Sequence, residues 1–164
     1  MKFTQLLPVI LILLSLFAPA HAAKPDDADA LAGIDIGKVI WDVTLGKPSR
    51  LLIVMKVIEE TYQDLVNQGV TPDMVFAFRG RVLTLLSSQP IELSEDEKAA
   101  QEKLLELISS LSKKPGIKME TCSIASRLMN IDNDTFIPEV KPVGNTFVSL
   151  IGYQQKGYAL IPIN

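Results

Sequence analysis

The strongest constraint on the fold is the alternation, along residues 38–164, of short apolar runs with longer amphipathic segments. The short runs have the composition of buried strands, while in the longer segments apolar residues recur at helical spacing. Strands and helices that alternate in this way form βα units with right-handed crossovers. The pattern predicts a three-layer α/β/α fold with a five-stranded, mainly parallel sheet, whose strands lie at 38–45, 73–80, 117–121, 140–143 and 158–163.

Local signals predict where three of the helices begin. Pro48 is suited to the first helical turn, which follows the first strand. Ser94 and Glu97 have the spacing of a capping box at the start of a long helix. Asn145 is a suitable N-cap for a helix over 146–156, just before the last strand.

Residues 1–22 are predicted to be a secretory signal peptide. A positive charge precedes an apolar run, and small residues lead to a cleavage site after Ala22. The run is shorter than the about 20 residues that a membrane span needs, although an uncleaved anchor is the alternative interpretation. We therefore expect a periplasmic protein without membrane insertion after cleavage, with a flexible leader over 23–37 and one domain over 38–164.

Loss of the signal peptide would restrict the chemistry of the mature chain. His21 is the only histidine and leaves with the signal, so neither a Ser-His nor a Cys-His pair is available. A zinc site of the usual Cys/His kind is equally unsupported, and we predict no metal. Because Lys2 also leaves and no acid does, the formal charge moves from -3 to -4. This acidic balance gives no electrostatic reason to expect nucleic acid or an anionic membrane as a partner.

Cys122, the only cysteine, stands between the third strand and a helix predicted over 123–129. Unpaired N–H groups and the positive end of the helix dipole are found at such a position. They stabilise a thiolate and bring its pKa to roughly 3.5–7.5, against about 8.5 for a free cysteine. The sequence therefore predicts a nucleophile that can hold sulfur as a persulfide, or alternatively a small packing residue, which is common for free cysteine.

Two further loops follow strands at the same predicted edge of the sheet. Arg79, Gly80 and Arg81 follow the second strand, and we predict that they bind an oxyanion or keep a nearby thiolate charged. The alternative is that the arginines pair with surface acids. Asp42 is either buried within the first strand or turned to meet Arg79. The loop at 44–50 is a weak candidate phosphate cradle, because it lacks the repeated glycines of known motifs.

Two segments, CSIASRLMNI (122–131) and VKPVGNTFVSLIGYQQKGYALIPI (140–163), resemble the DsrE/DsrF-like family of sulfur-relay proteins. The resemblance extends over most of residues 38–164 and suggests an exported member of that family. It implies a compact, flavodoxin-like fold of five parallel strands and assembly into trimers or hexamers, either with itself or with related subunits. It also implies that Cys122 carries persulfide sulfur from a donor protein to an acceptor protein.

Two functions are therefore expected. The first is a periplasmic, thiol-based sulfur carrier, at most sulfurtransferase-like in activity, that uses Cys122 with help from Arg79 and Arg81 and needs no cofactor. The second is a non-catalytic, oligomeric binding module of the periplasm with an anion-binding site at the strand ends, in which Cys122 only packs. A flavin or nucleotide role ranks third.

Overall fold

A computed structural model describes residues 25–164, and the predicted signal peptide (1–22) lies outside this part of the chain. The described residues form one five-stranded sheet of parallel strands in the order β4-β3-β2-β1-β5. The predicted α/β class is confirmed. The strands are β1 (Ile36–Val43), β2 (Thr71–Phe78), β3 (Ile117–Cys122), β4 (Lys141–Val143) and β5 (Ala159–Ile163).

Six α-helices accompany the sheet in the described part of the chain: α1 (Ala28–Leu31), α2 (Pro48–Asn67), α3 (Leu83–Leu86), α4 (Glu95–Ser112), α5 (Ser123–Leu128) and α6 (Thr146–Gln155). The chain crosses from β1 to β4 in one direction and then returns past β1 to β5. Because each crossover is right-handed, the return places α6 on the face opposite α2 and α4. Within residues 25–164, no helix has the length and apolarity that crossing a membrane requires.

The two faces of the sheet differ in how they are covered. Alternate residues of the strands point to opposite faces, so Trp41 and Phe76 join the large cluster under α2, α3 and α4. On the other face, Ile40 and Val75 join a small cluster with Leu150 of α6. We call the first the core face and the second the α6 face.

The start of β1 corrects the predicted boundary between leader and domain. β1 begins at Ile36, inside the stretch predicted as a flexible leader (23–37), and pairs with β2 from there. A glycine suits position 37 in this strand because the side chain of Leu65 lies close to it; a Cβ at Gly37 would come within 3.0 Å of a Leu65 methyl group. Further back, the backbone N–H of Asp27 donates to Gln68 Oε1 at 2.8 Å.

The starts of α2 and α4 are tied together by one carboxylate. Pro48 opens α2 and Ser94 caps α4, as predicted, with Ser94 Oγ accepting from the Glu97 N–H at 3.4 Å. Glu97 does not complete the capping box, however, because its carboxylate accepts from Ser49 Oγ at 2.7 Å and from the Ser49 N–H at 2.9 Å. These bonds lower the pKa of Glu97. The Glu97 carboxylate therefore occupies the N-terminus of α2. This is the position at which the loop 44–50 was predicted to be a weak candidate for binding phosphate.

Candidate functional site

A cavity of about 340 Å³ opens at the carboxyl edge of the sheet on the α6 face. It brings together Cys122 at the end of β3, Arg79 and Gly80 beyond the end of β2, and the first turn of α6. The remaining lining is largely apolar. The lining residues are Arg79, Gly80, Cys122, Ile124, Ala125, Leu128, Asn145, Thr146 and Phe147.

Cys122 faces this cavity and not the core. Its residue is only 5% exposed, yet it belongs to neither of the two hydrophobic clusters that form the core. It follows Glu120 at a spacing of two along β3, which places its side chain on the α6 face. The sulfur is therefore sheltered from bulk water and open to a small molecule within the cavity.

Two helix starts converge on the Cys122 sulfur. Burial by itself raises the pKa of the thiol, but the Thr146 hydroxyl and the N–H groups of Thr146, Ala125 and Ile124 lower it more. The net effect lowers the pKa of the Cys122 thiol below its ordinary value. Cys122 is the N-cap of α5, although its neutral thiol accepts no hydrogen bond of regular geometry there. Since thiols are weak acceptors, these donors act mainly on the thiolate.

Arg79 is held beside the sulfur by a two-point ion pair. Its Nε donates to Asp42 Oδ1 at 2.7 Å and its Nη2 to Asp42 Oδ2 at 2.6 Å, which confirms one of the two predicted positions of Asp42. The Arg79 guanidinium also lies 4.9 Å from the centre of the Phe147 ring. The hydrogen bond to Asp42 raises the pKa of Arg79, with smaller contributions from the charges of Asp42 and Cys122. Much of the positive charge predicted for anion binding is thus already paired.

Arg81 does not line the cavity, so only one of the two predicted arginines lies near the sulfur. Gly80 has a φ of +67°, and this left-handed residue turns the chain into a short 3-10 helix. The turn places Arg81 against the loop that follows β1. A Cβ added at Gly46 in that loop would come within 2.5 Å of the Arg81 Cβ. Arg81 was predicted to bind an anion because it follows the same strand end as Arg79, and at this cavity it is not in a position to do so.

Thr146 is the lining residue that the sequence did not bring forward. It is fully buried, and its hydroxyl has no hydrogen-bond partner of regular geometry within residues 25–164. Asn145 caps α6 as predicted, accepting from the Phe147 N–H at 2.9 Å. The sequence feature that could have indicated Thr146 is the N-cap Asn145, because the helix that it starts, α6, follows β4 at the same edge of the sheet as Cys122.

A polar network fixes α6 to the sheet behind the cavity. Tyr153 donates to Glu120 Oε1 at 3.1 Å, and Tyr158 donates to Asp73 Oδ2 at 2.5 Å. The two tyrosine rings meet edge to face with their centres 4.9 Å apart. Burial, together with Glu120, raises the pKa of Tyr153 to about 12, and burial with the bond to Asp73 also raises the pKa of Tyr158. The segment YQQKGYA (153–159) therefore serves to anchor α6.

A larger cleft of about 570 Å³ opens at the opposite edge, beside the amino ends of β1, β2 and β3. Its charged groups, Asp73 and Lys118, pair with each other at 3.3 Å, and it contains no cysteine. Ligands of open parallel sheets bind at the carboxyl ends of the strands, so the smaller cavity is the better candidate. In the described part of the chain, no three His, Cys, Asp or Glu side chains form a group suited to a metal ion.

The fold and the cavity define a parallel α/β protein with a single-thiol site at the end of an interior strand, β3. The sequence profile of the DsrE/DsrF-like family matches residues 55–163, and the chain belongs to this family. The family relationship predicted from the cysteine and C-terminal segments is therefore confirmed.

Similarity to individual proteins is distant. An uncharacterized protein of Aquifex aeolicus (strain VF5) is 22% identical over 125 residues, which are 76% of this chain and 55% of that protein. The chain thus spans about half the length of this curated relative.

Two solved structures share the fold. A protein of unknown function, MTH1491 from Methanobacterium thermoautotrophicum, has a TM-score of 0.56 at 18% identity, covering 76% of this chain and 96% of that one. The ychN protein from E. coli has a TM-score of 0.51 at 15% identity, covering 77% of this chain and 99% of that one.

Proposed function

We propose that the protein is a thiol-based sulfur carrier in which Cys122 holds sulfur as a persulfide. The observation that carries the proposal is the Cys122 sulfur itself, which faces a small cavity and has a lowered pKa. Family membership is compatible with sulfur relay, and the residues at this site suit that chemistry.

The proposed transfer needs no oxidant. The Cys122 thiolate attacks the outer sulfur of a donor persulfide, R–S–SH. The S–S bond of the donor breaks, a new S–S bond forms on Cys122, the proton stays with the transferred sulfur, and the donor leaves as the thiolate R–S⁻. Attack by an acceptor thiolate on the outer sulfur of the loaded Cys122 reverses these steps and passes the sulfur on.

The described residues support both transfers. The N–H groups and the hydroxyl around the sulfur stabilise a negative charge on the thiolate before uptake and again after release. The cavity beside the sulfur is lined mainly by apolar side chains such as Ile124, and Cys122 itself is only 5% exposed, so little bulk water reaches the sulfur. Arg79, although paired with Asp42, keeps a positive charge near the same atom.

Mass spectrometry tests the proposal directly. The reduced protein is incubated with inorganic polysulfide at neutral pH, desalted and measured intact, with Cys122→Ser as the matched control. We expect an added mass of about 32 Da per bound sulfur on the wild type, removable by a reducing thiol, and none on the variant. Equal labelling of the two proteins, or no labelling of a wild type that is shown to be reduced and folded, would contradict the proposal.

Anion binding without catalysis is the alternative function, and it has less support. Arg79 is engaged by Asp42 through two hydrogen bonds, and Arg81 lies outside the cavity. Calorimetric titration with sulfate separates the two functions, because a sulfur carrier with a paired arginine is expected to bind this anion only weakly. Saturable sulfate binding that persists in Cys122→Ser would favour the alternative.

We further propose that the protein is exported to the periplasm and acts there as a homo-oligomer, or with related subunits, toward a protein donor and a protein acceptor of sulfur. Exposed apolar side chains on α6, including Phe147, Val148 and Ile151, support self-association. Light scattering after size-exclusion chromatography tests the oligomer, for which a monomer at micromolar concentration is the contrary result. N-terminal sequencing of the protein recovered from cells tests cleavage after Ala22.

A further inference from the structure

The hydroxyl of Thr146 is placed where packing alone gives no reason for it. Thr146 is fully buried, and its Oγ1 has no hydrogen-bond partner of regular geometry among residues 25–164. Within a helix, a threonine hydroxyl usually bonds to a carbonyl one turn earlier. Thr146 is the first residue of α6, so no earlier turn exists to supply that carbonyl. A valine has the same shape without the unpaired hydroxyl.

The surroundings of Thr146 direct its donors toward Cys122. Both residues line the same cavity, and both the hydroxyl and the N–H of Thr146 stabilise the Cys122 thiolate. The side chain of Asn145 accepts from the Phe147 N–H, which leaves the N–H of Thr146 unused by the cap. The anchoring of Tyr153 and Tyr158 keeps α6, and with it this first turn, in place against the sheet.

We propose that Thr146 is the side-chain hydrogen-bond donor to the reacting sulfur, and that its hydroxyl lies unpaired until the thiolate forms. A neutral thiol is a weak acceptor, whereas a thiolate or a persulfide anion accepts strongly. The bond therefore favours the anionic sulfur over the thiol and raises the fraction of reactive Cys122 at neutral pH. This inference rests on the proposed role of Cys122 as the reacting thiol and is independent of which sulfur donor is used.

Two charged side chains near Cys122 on this face of the sheet each have a partner. Arg79, which follows β2, is paired with Asp42 of β1. Glu120 lies on the same face of β3 and accepts from Tyr153 of α6. The donors from α5 are backbone N–H groups, which a side-chain substitution leaves in place. A change at Thr146 therefore isolates the contribution of one hydroxyl.

The test compares Thr146→Val, Thr146→Ser and Thr121→Val with the wild type. Thr121 is the matched control: it is also fully buried with an unpaired hydroxyl, but it precedes Cys122 and points to the core face. The rate of alkylation by iodoacetamide is measured against pH on each folded protein, and urea unfolding reports its stability. Iodoacetamide needs no sulfur donor, so the result stands even if the protein takes up no sulfur.

We expect Thr146→Val to react roughly tenfold more slowly at pH 7 and to show a higher thiol pKa, because it loses a hydrogen bond to a charged group. Thr146→Ser is expected to stay near the wild type, and so is Thr121→Val. An unchanged pH profile in Thr146→Val overturns the proposal, as does an equal shift in Thr146→Ser. If Thr146→Val does not fold, Thr146→Ala is compared with Thr146→Ser under the same two criteria.

Discussion

The two faces of the sheet differ in the side chains that they bury. The core face buries Trp41, Phe76 and a continuous set of aliphatic side chains under α2, α3 and α4. The α6 face has a small apolar cluster and, around it, the Asp42–Arg79 pair, the tyrosine network and Cys122. Buried polar groups are costly unless they are paired. The Asp42–Arg79 pair and Cys122 meet on the α6 face at the carboxyl ends of β1, β2 and β3, and we therefore propose that this face carries the function.

The largest effect on stability is expected on the core face. Leu104 of α4 is fully buried in the large cluster, so Leu104→Ala leaves a cavity and lowers the free energy of unfolding by about 3 kcal/mol. The pH profile of Cys122 alkylation should not move, because Leu104 lies across the sheet from the sulfur. Urea unfolding and alkylation of the same preparation check both statements. A shifted alkylation profile would show that the two faces are coupled.

A smaller loss of stability is expected from the ion pair on the α6 face. Asp42→Asn leaves the Arg79 charge without its partner, and since the two side chains are 9% and 28% exposed, we expect a loss of about 2 kcal/mol. Lys98→Gln is the control, because the Lys98–Glu95 pair is 52% and 89% exposed and should contribute about 0.5 kcal/mol or less. Equal losses in the two variants, measured by urea unfolding, would count against a structural role for the Asp42 pair.

The smallest effect is expected at Tyr153 and appears at alkaline pH. The phenol of an unfolded tyrosine ionises near pH 10.0, whereas in the folded protein the pKa of Tyr153 is about 12. The unfolded state therefore loses its proton first, and the wild type loses on the order of 1 kcal/mol of stability as the pH rises from about 10 to about 12. The Tyr153→Phe variant does not show this alkaline loss of stability from residue 153. The loss that comes from the raised pKa of Tyr158 remains.

Urea unfolding at pH 8 and at pH 11 measures the alkaline effect at Tyr153. At pH 8 both phenols are protonated, and Tyr153→Phe is expected to cost about 1 kcal/mol through the lost bond to Glu120. At pH 11 the difference between the variant and the wild type should shrink. A difference that stays constant between the two pH values would mean that Tyr153 does not hold its proton in the folded state.

The order of elements was predictable because it depends on local patterns. Apolar runs, the capping residues Ser94 and Asn145 and the helix-opening Pro48 are each read from a few neighbouring residues, and the structure contains all of them. The Asp42–Arg79 pair was also open to prediction, because both residues lie near the carboxyl ends of strands that pair in the sheet. In a parallel pair of strands the carboxyl ends lie side by side, so strand pairing alone is enough to bring the two residues together.

The composition of the site depended on geometry that sequence patterns do not contain. Arg81 is directed away from Cys122 by the left-handed conformation of Gly80, which a glycine permits but does not require. Thr146 lines the same cavity as Cys122 because β4 is short and lies next to β3, so that the next helix begins at the same edge of the sheet. A strand of three residues gives too weak a pattern to locate it in the sheet, and without that location the sequence does not place Thr146, which follows the N-cap of α6, near Cys122.

The most direct test of the central claim is the rate at which iodoacetamide alkylates Cys122 in the folded wild-type protein, measured from pH 5 to pH 10 with Cys122→Ser as the blank. If the sulfur faces the cavity and the surrounding donors stabilise its thiolate, the thiol reacts without unfolding, and the rate reaches half its maximum at a pH below the ordinary thiol pKa of about 8.5. A thiol that reacts only after urea unfolding, or a midpoint at or above that pKa, would contradict the claim.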